Sequence, residues 1–264
     1  MEFKNNIIQT LIKRYRLAYT TVALVGVLII GKFLMHQFGF EFFTINTLFT
    51  SAIAGAVFII GFLLAGVFAD YKEAEKIPAE LCSSLENIWD EARLFKRNKT
   101  KFDLEGIKKT LLEIVVKFRT GLHRDTGYNN LRPALMAADE LGESFAQMEN
   151  LGMPPNYIVR LKTEQSNVRK QILRTYYIQR MRFIPSAFIL AQSLVAFIIL
   201  LLFFVKTEGS PELFVLFGFI AYLFLYTVRL ILVIEKPFRK GMGSVDDVSI
   251  FLIREFEEEL KSAK

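Results

Sequence analysis

The chain has 264 residues, of which 52% are hydrophobic, with 26 Phe and one Trp, a mean hydropathy of +0.32 and a formal charge of +6. Soluble domains carry about 45–50% apolar residues, so the composition favours a membrane protein, and the basic excess is read as membrane-facing loops before nucleic-acid binding. A single cysteine, Cys82, excludes an intrachain disulfide framework, and two histidines leave too few ligands for a zinc or di-iron site, so neither metal nor other cofactor is expected.

Four apolar segments are each long enough to cross a bilayer core at about 1.5 Å per residue: Leu17–Phe38, Thr47–Ala69, Phe183–Val205 and Phe214–Ile234. Lys32 and Arg229 lie inside them and are expected to snorkel to an interface. The N-terminal arm holds Lys4, Lys13, Arg14 and Arg16, whereas the first turn, "GFEFFTIN", has no Lys or Arg. The segment between the second and third spans is rich in both, and the tail carries Lys236, Arg239 and Lys240. The positive-inside rule then puts both termini and the long middle region in the cytoplasm. Four parts follow: 1–69 with two spans, a helical cytoplasmic region 70–182, spans three and four in 183–234, and a C-terminal helix within 235–264.

The second span raises a question of its own. "AVFIIGFLLAGVFADYKEAEKIPAEL", Ala56–Leu81, turns from apolar to charged with no proline before Pro78. Residues four apart on a helix lie nearly over one another, so Ala54, Phe58 and Phe62 trace one stripe. Small residues flank it at helical spacing: Ser51 with Gly55, Ala52 with Ala56, Gly61 with Ala65, Ala65 with Ala69. Such pairs let helices approach closely. The residues alone leave two readings open. The phenylalanines pack inside a four-helix monomer, or they face copies of themselves around a pore. Asp70, Lys72, Glu73 and Glu75 follow as charges at the end of this segment.

In the cytoplasmic region Asp103 suits an N-cap. Leu104, Ile107, Leu111, Ile114 and Phe118 make a helical stripe, and Gly121 is expected to close that helix. Leu131, Leu135, Ala138, Leu141, Phe145 and Met148 make a second stripe. Pro154 and Pro155 open a third helix whose Arg160, Lys162, Arg169, Lys170, Arg174, Arg180 and Arg182 face one acid, Glu164. That excess fits anionic headgroups or a lining that concentrates anions. Strand signals are absent. The tail is expected to form a helix from Ser244, capped by Ser244 and Asp247, with an acidic face of Glu255, Glu257, Glu258 and Glu259. His123-Arg124-Asp125 with Asn130 has a kinase-loop spacing, but no Gly-rich phosphate loop or Asp-Phe-Gly accompanies it. No enzyme is expected.

Three stretches resemble the bestrophin family. "IIGFLLAGVFADYKEAEKIPAEL" is similar to its second transmembrane helix, "FIPSAFILAQSLVAFIILLLFF" to its third, and "VIEKPFRKGMGSVDDVSIFLIREFEEEL" to its Glu-Asn-Pro-Phe-Gly motif and following helix. The resemblance covers nearly the whole chain, and Glu235-Lys236-Pro237-Phe238 is its most specific element. It implies an all-α homopentameric ion channel with one axial pore. It places Ala54, Phe58 and Phe62 at an apolar neck and a cytoplasmic constriction at Tyr157 or its neighbour Ile158. Asp70-Tyr71 stands where the family has an arginine–tryptophan pair. Basic residues and glycines replace the acidic calcium cluster of eukaryotic members, so no calcium clasp is expected. Chloride is the favoured permeant ion, in a prokaryotic inner membrane among lipids. A cation-conducting channel and a non-conducting scaffold that binds a partner through its cytoplasmic helices are the alternatives.

Overall fold

The structure is a computed structural model that describes residues 15–122, 128–180, 184–207, 210–238 and 246–263. Its described helices are α1 (Arg16–Gln37), α2 (Thr47–Asn98), α3 (Leu104–Leu122), α4 (Tyr128–Asn150), α5 (Pro155–Arg180), α6 (Pro185–Phe203), α7 (Pro211–Ile234) and α8 (Phe251–Ser262). Among the described residues, four helices are long and apolar enough to cross a membrane. The chain divides into two compact units, one of residues 1–71, 182–235 and 244–246, the other of residues 72–181, 236–243 and 247–264.

The first unit is the apolar bundle. Pro185 and Pro211 sit at the starts of α6 and α7, where a missing N–H costs no intrahelical bond. The start of α2 is capped by Asn46, whose Oδ1 accepts the Phe49 N–H at 2.8 Å. Ala56, Ile60 and Val67 of α2 are buried in one cluster with Ala191, Val195 and Ile198 of α6 and with Phe217 and Phe224 of α7. The first and fourth spans approach closely at Gly218, where an added Cβ would lie 2.9 Å from Ile29 Cδ1. That contact is the close approach a glycine allows.

Of the two charged residues within the spans, Lys32 does not snorkel, whereas Arg229 is only half-buried. Lys32 is fully buried, and Arg229 donates to the hydroxyls of Thr21 and Thr20 at 3.0 and 2.9 Å. Both side chains find polar partners inside the bundle, which hydrocarbon would not provide.

The second unit joins the charged half of α2 to α3, α4, α5 and α8. Asp103 does cap α3, its Oδ1 taking the Gly106 N–H at 3.0 Å. Both predicted stripes enter one core: Ile107, Leu111, Ile114 and Phe118 from α3, Leu131, Ala138 and Phe145 from α4. Leu81, Leu85 and Ile88 of α2 and Ile253, Phe256 and Leu260 of α8 complete it. Gly121 does not close its helix. It lies inside α3, where a Cβ would fall 2.5 Å from the Asn130 carbonyl oxygen; the constraint is a neighbour's backbone. Within this unit Gly152, with φ +89°, ends a helix. The Met153 and Gly152 N–H groups reach back to the carbonyls of Met148 and Glu149 at 3.0 and 2.9 Å, closing α4 as a left-handed cap.

The C-terminal helix starts at Phe251, later than the Ser244 and Asp247 pair implied, with no side-chain cap; Ser244 lies outside the described residues, as do His123 and Arg182. Glu255, Glu258 and Glu259 are exposed, but Glu257 is buried and pairs with Arg119 at 3.1 Å and Lys261 at 2.6 Å. α2 passes through Pro78 without stopping, and Pro78 is buried.

Cys82 is buried in this core with Sγ 3.3 Å from Glu86 Oε1. Burial pushes its thiol up to about 12, helped by the hydrogen bond and negative charge of Glu86. The thiolate is the reactive form. Iodoacetamide at pH 8 is therefore expected to leave the native protein unlabelled and to modify it once in urea-unfolded chain, as read by intact mass. Full labelling of the native protein within minutes would contradict this.

Candidate functional site

The second-span segment of α2 has two opposite faces. Ile60 and Val67 turn into the bundle at 2% and 1% exposure, while Phe58 and Phe62 turn away from it at 75% and 73%. Ala54 lies on the same exposed side, as do Ser51, Gly55, Gly61, Ala65 and Ala69. The reading in which the phenylalanines pack inside the chain's own bundle is excluded for the single chain. Of the small residues, only Ala56 serves the internal core. A Cβ added at Gly55 or Gly61 meets nothing within 4 Å, so nothing within the chain requires a glycine at either position.

Beyond this face the charges arrange themselves in pairs. Lys72 bonds Glu75 at 2.7 Å; Glu73 bonds Lys76 at 3.3 Å and Arg174 of α5 at 2.7 Å. The Lys76 hydrogen bond and charge, with Arg174, hold the Glu73 carboxylate below its usual range. Asp70 is exposed and makes no ion pair among the described residues. On α5, Arg160 pairs with Glu91 at 3.2 Å and Arg169 pairs with Asp139. The helix is thus less cationic than its sequence suggests. Exposed pairs such as these contribute little to stability, about 0–1 kcal/mol each, but they cancel field.

The two candidates for the second constriction separate. Tyr157 is 41% exposed, whereas Ile158 is 5% exposed and part of the second unit's core. In the Glu235-Lys236-Pro237-Phe238 run, Glu235 caps α7 through its N–H to the Ile231 carbonyl at 2.9 Å. Lys236 is exposed, Pro237 is buried with its carbonyl accepting from Val248 N at 2.8 Å, and Phe238 packs on the second unit's core. The run turns the chain and seats an aromatic ring.

One cluster was missed in the sequence. The Lys32 ammonium donates to Glu41 Oε1 at 2.6 Å, to the Phe203 carbonyl at 2.9 Å and to the Val205 carbonyl. Glu41 also faces His36 Nδ1 at 3.0 Å and accepts from the Thr207 N–H at 3.0 Å and the Thr207 hydroxyl at 2.9 Å. Burial raises the Glu41 pKa, but the hydrogen bonds from Lys32, His36 and Thr207 outweigh it and bring the carboxyl to about 2. The signal available in the sequence was the lone acid in an aromatic turn, nine residues after a lysine in the preceding span.

No protein-family model and no curated protein sequence matches the chain. Solved structures do. A single-site variant of a bacterial bestrophin homologue from Klebsiella pneumoniae superposes with TM-score 0.73 at 15% identity, covering 94% of this chain and 97% of that one. A second variant gives TM-score 0.73 at 15% identity with 96% of each chain covered. The homologue phased with zinc gives 0.71 at 14% identity, covering 93% and 96%. The fold is therefore bestrophin-like along nearly the whole chain.

Gly55→Leu and Gly61→Leu are expected to leave the chain's own fold intact, with unchanged helicity by circular dichroism, because each added side chain enters open space. They should disturb only what this face meets on other molecules, seen as loss of high-mass species on size exclusion. Unaltered elution of both variants would mean that this face meets no partner.

Proposed function

We propose that the chain forms a homopentameric ion channel in which α2 from each copy lines the axis. The observation that carries this reading is the outward stripe of Ala54, Phe58 and Phe62 on a bilayer-length helix whose other face is buried. Lipid has no need of small residues beside such a stripe; a neighbouring helix does. Aromatic rings from five copies, one helical turn apart, make a narrow apolar neck. An ion entering it loses hydration with nothing polar in exchange, so the neck blocks without a plug. Tyr157 is the better candidate for a second constriction, since Ile158 is committed to the core. The proposed location is a prokaryotic inner membrane with both termini cytoplasmic, following the distribution of Lys and Arg.

The neck carries no charge, so ion sign is set at its mouths. Glu73 and Glu75 are balanced by basic partners, while Lys162 and Lys170 of α5 are exposed without an ion pair among the described residues. This favours anions, chloride first. Asp70, exposed and without an ion pair among the described residues at the end of the neck segment, favours the cation-conducting alternative.

Planar-bilayer recording tests both points. Phe58→Ala/Phe62→Ala removes the rings and keeps helix propensity high; it is expected to give larger, less regulated currents from an oligomer of wild-type size. The wild-type reversal potential is expected to follow the chloride gradient. Unchanged conductance and open probability in an assembled double variant would place the neck elsewhere, and a reversal potential that follows potassium would assign the cation reading. An assembled wild type that passes no ions would leave the scaffold.

A further inference from the structure

We propose that Lys32 and Glu41 form a charge-balanced clamp that positions the start of α2 and keeps that mouth of the conduction path neutral, an inference that rests on the channel reading above. The geometry ties three helix ends together. α1 ends in a left-handed cap at Gly39, φ +70°, with the Gly39 and Phe40 N–H groups on the His36 and Met35 carbonyls at 3.1 Å each. This cap turns the chain so that Glu41 lies back over Lys32. The turn is then sewn to the end of α6: the Phe43 N–H donates to the Phe204 carbonyl and the Lys206 N–H to the Phe43 carbonyl, both at 2.8 Å. Four residues after Lys32, His36 adds a ring nitrogen to the same carboxylate. From Asn46 the chain enters α2.

Lys32 does two things at once. It neutralises Glu41, and it satisfies the Phe203 and Val205 carbonyls at the end of α6, groups that have no intrahelical partner and that lipid cannot hydrate. Its three N–H groups are all used. The side chain is fully buried, and that of Glu41 is 8% exposed. Neither charge therefore acts alone. Either one left unbalanced at this end of α2 would impose its sign on the ions gathering there, within a screening length of about 8–10 Å.

The test is reversal potential in planar bilayers for the full-length oligomer. Glu41→Gln leaves the ammonium unbalanced and is expected to raise the anion-to-cation permeability ratio, by about sevenfold for a potential change near kT, which enriches anions and depletes cations together. Lys32→Met leaves the carboxylate, still hydrogen-bonded by Thr207, and is expected to lower the ratio by a similar factor. Lys32→Met/Glu41→Gln is neutral again and should return to the wild-type ratio. Simple loss of structure would not produce opposite shifts that cancel. A conducting wild type with both single variants unmoved, or moved the same way, overturns the clamp and leaves the channel reading standing. Should the single variants fail to assemble, the double variant decides: assembly with the wild-type ratio supports the clamp, whereas failure to assemble or a changed ratio overturns it. A wild type without current overturns the channel reading and the clamp together.

Discussion

Inside a bilayer an apolar side chain gains nothing by leaving lipid, so helices associate where small residues let backbones approach and where polar groups need partners that hydrocarbon cannot supply. That constraint accounts for both sides of α2. Its inner side is closed by Ala56, Ile60 and Val67 against α6 and α7. Its outer side carries Phe58 and Phe62 among exposed alanines and among glycines, Gly55 and Gly61, where an added Cβ would meet nothing in the described chain. A monomer in lipid would be served as well by leucines. Residues 72–98 of the same helix face a different solvent and follow different rules: their apolar side joins a core of ordinary helical stripes, and the opposite side is water-exposed and salt-bridged.

Much of this was legible before any coordinates. The spans declared themselves as continuous apolar runs, and α6 and α7 differ from the predicted segments by no more than three residues at either end. The Leu104–Phe118 and Leu131–Met148 stripes were read correctly because period 3.6 with one buried side is the strongest signal a soluble helix gives. The Phe58 and Phe62 stripe was visible too, but its direction was not, because periodicity gives a face and not what the face meets.

The failures share a cause: each depended on a distant partner. Gly121 looked like a helix end and is instead a site of close approach by Asn130. The C-terminal helix begins at Phe251 because Ile253, Phe256 and Leu260 reach the core there, with no cap to announce it. Lys32 looked like a snorkelling lysine because its counter-charge sits in a turn and its other acceptors lie more than 170 positions away. At 14–15% identity the solved structures of like fold share this architecture through pattern, not through residues. That is enough to fix the fold, while the chemistry has to be argued from this chain's own side chains.

Two scales of organisation meet at the start of α2. Hydrogen bonds hold the 38–46 turn to the end of α6, and a buried ion pair balances charge in a setting where an unpaired ion is costly. Close packing then governs the helix that follows. The central claim is that Phe58 faces other copies of the chain. Its most direct test is a short bismaleimide cross-link in detergent-solubilised protein with Cys82→Ser, comparing Phe58→Cys with Ile60→Cys. Covalent dimers are expected from position 58, since one thiol per chain bonds to one partner, and none from position 60, whose side chain points into its own bundle. Cross-linking at position 60 alone, or at neither in a protein that elutes as a monomer, would contradict the account.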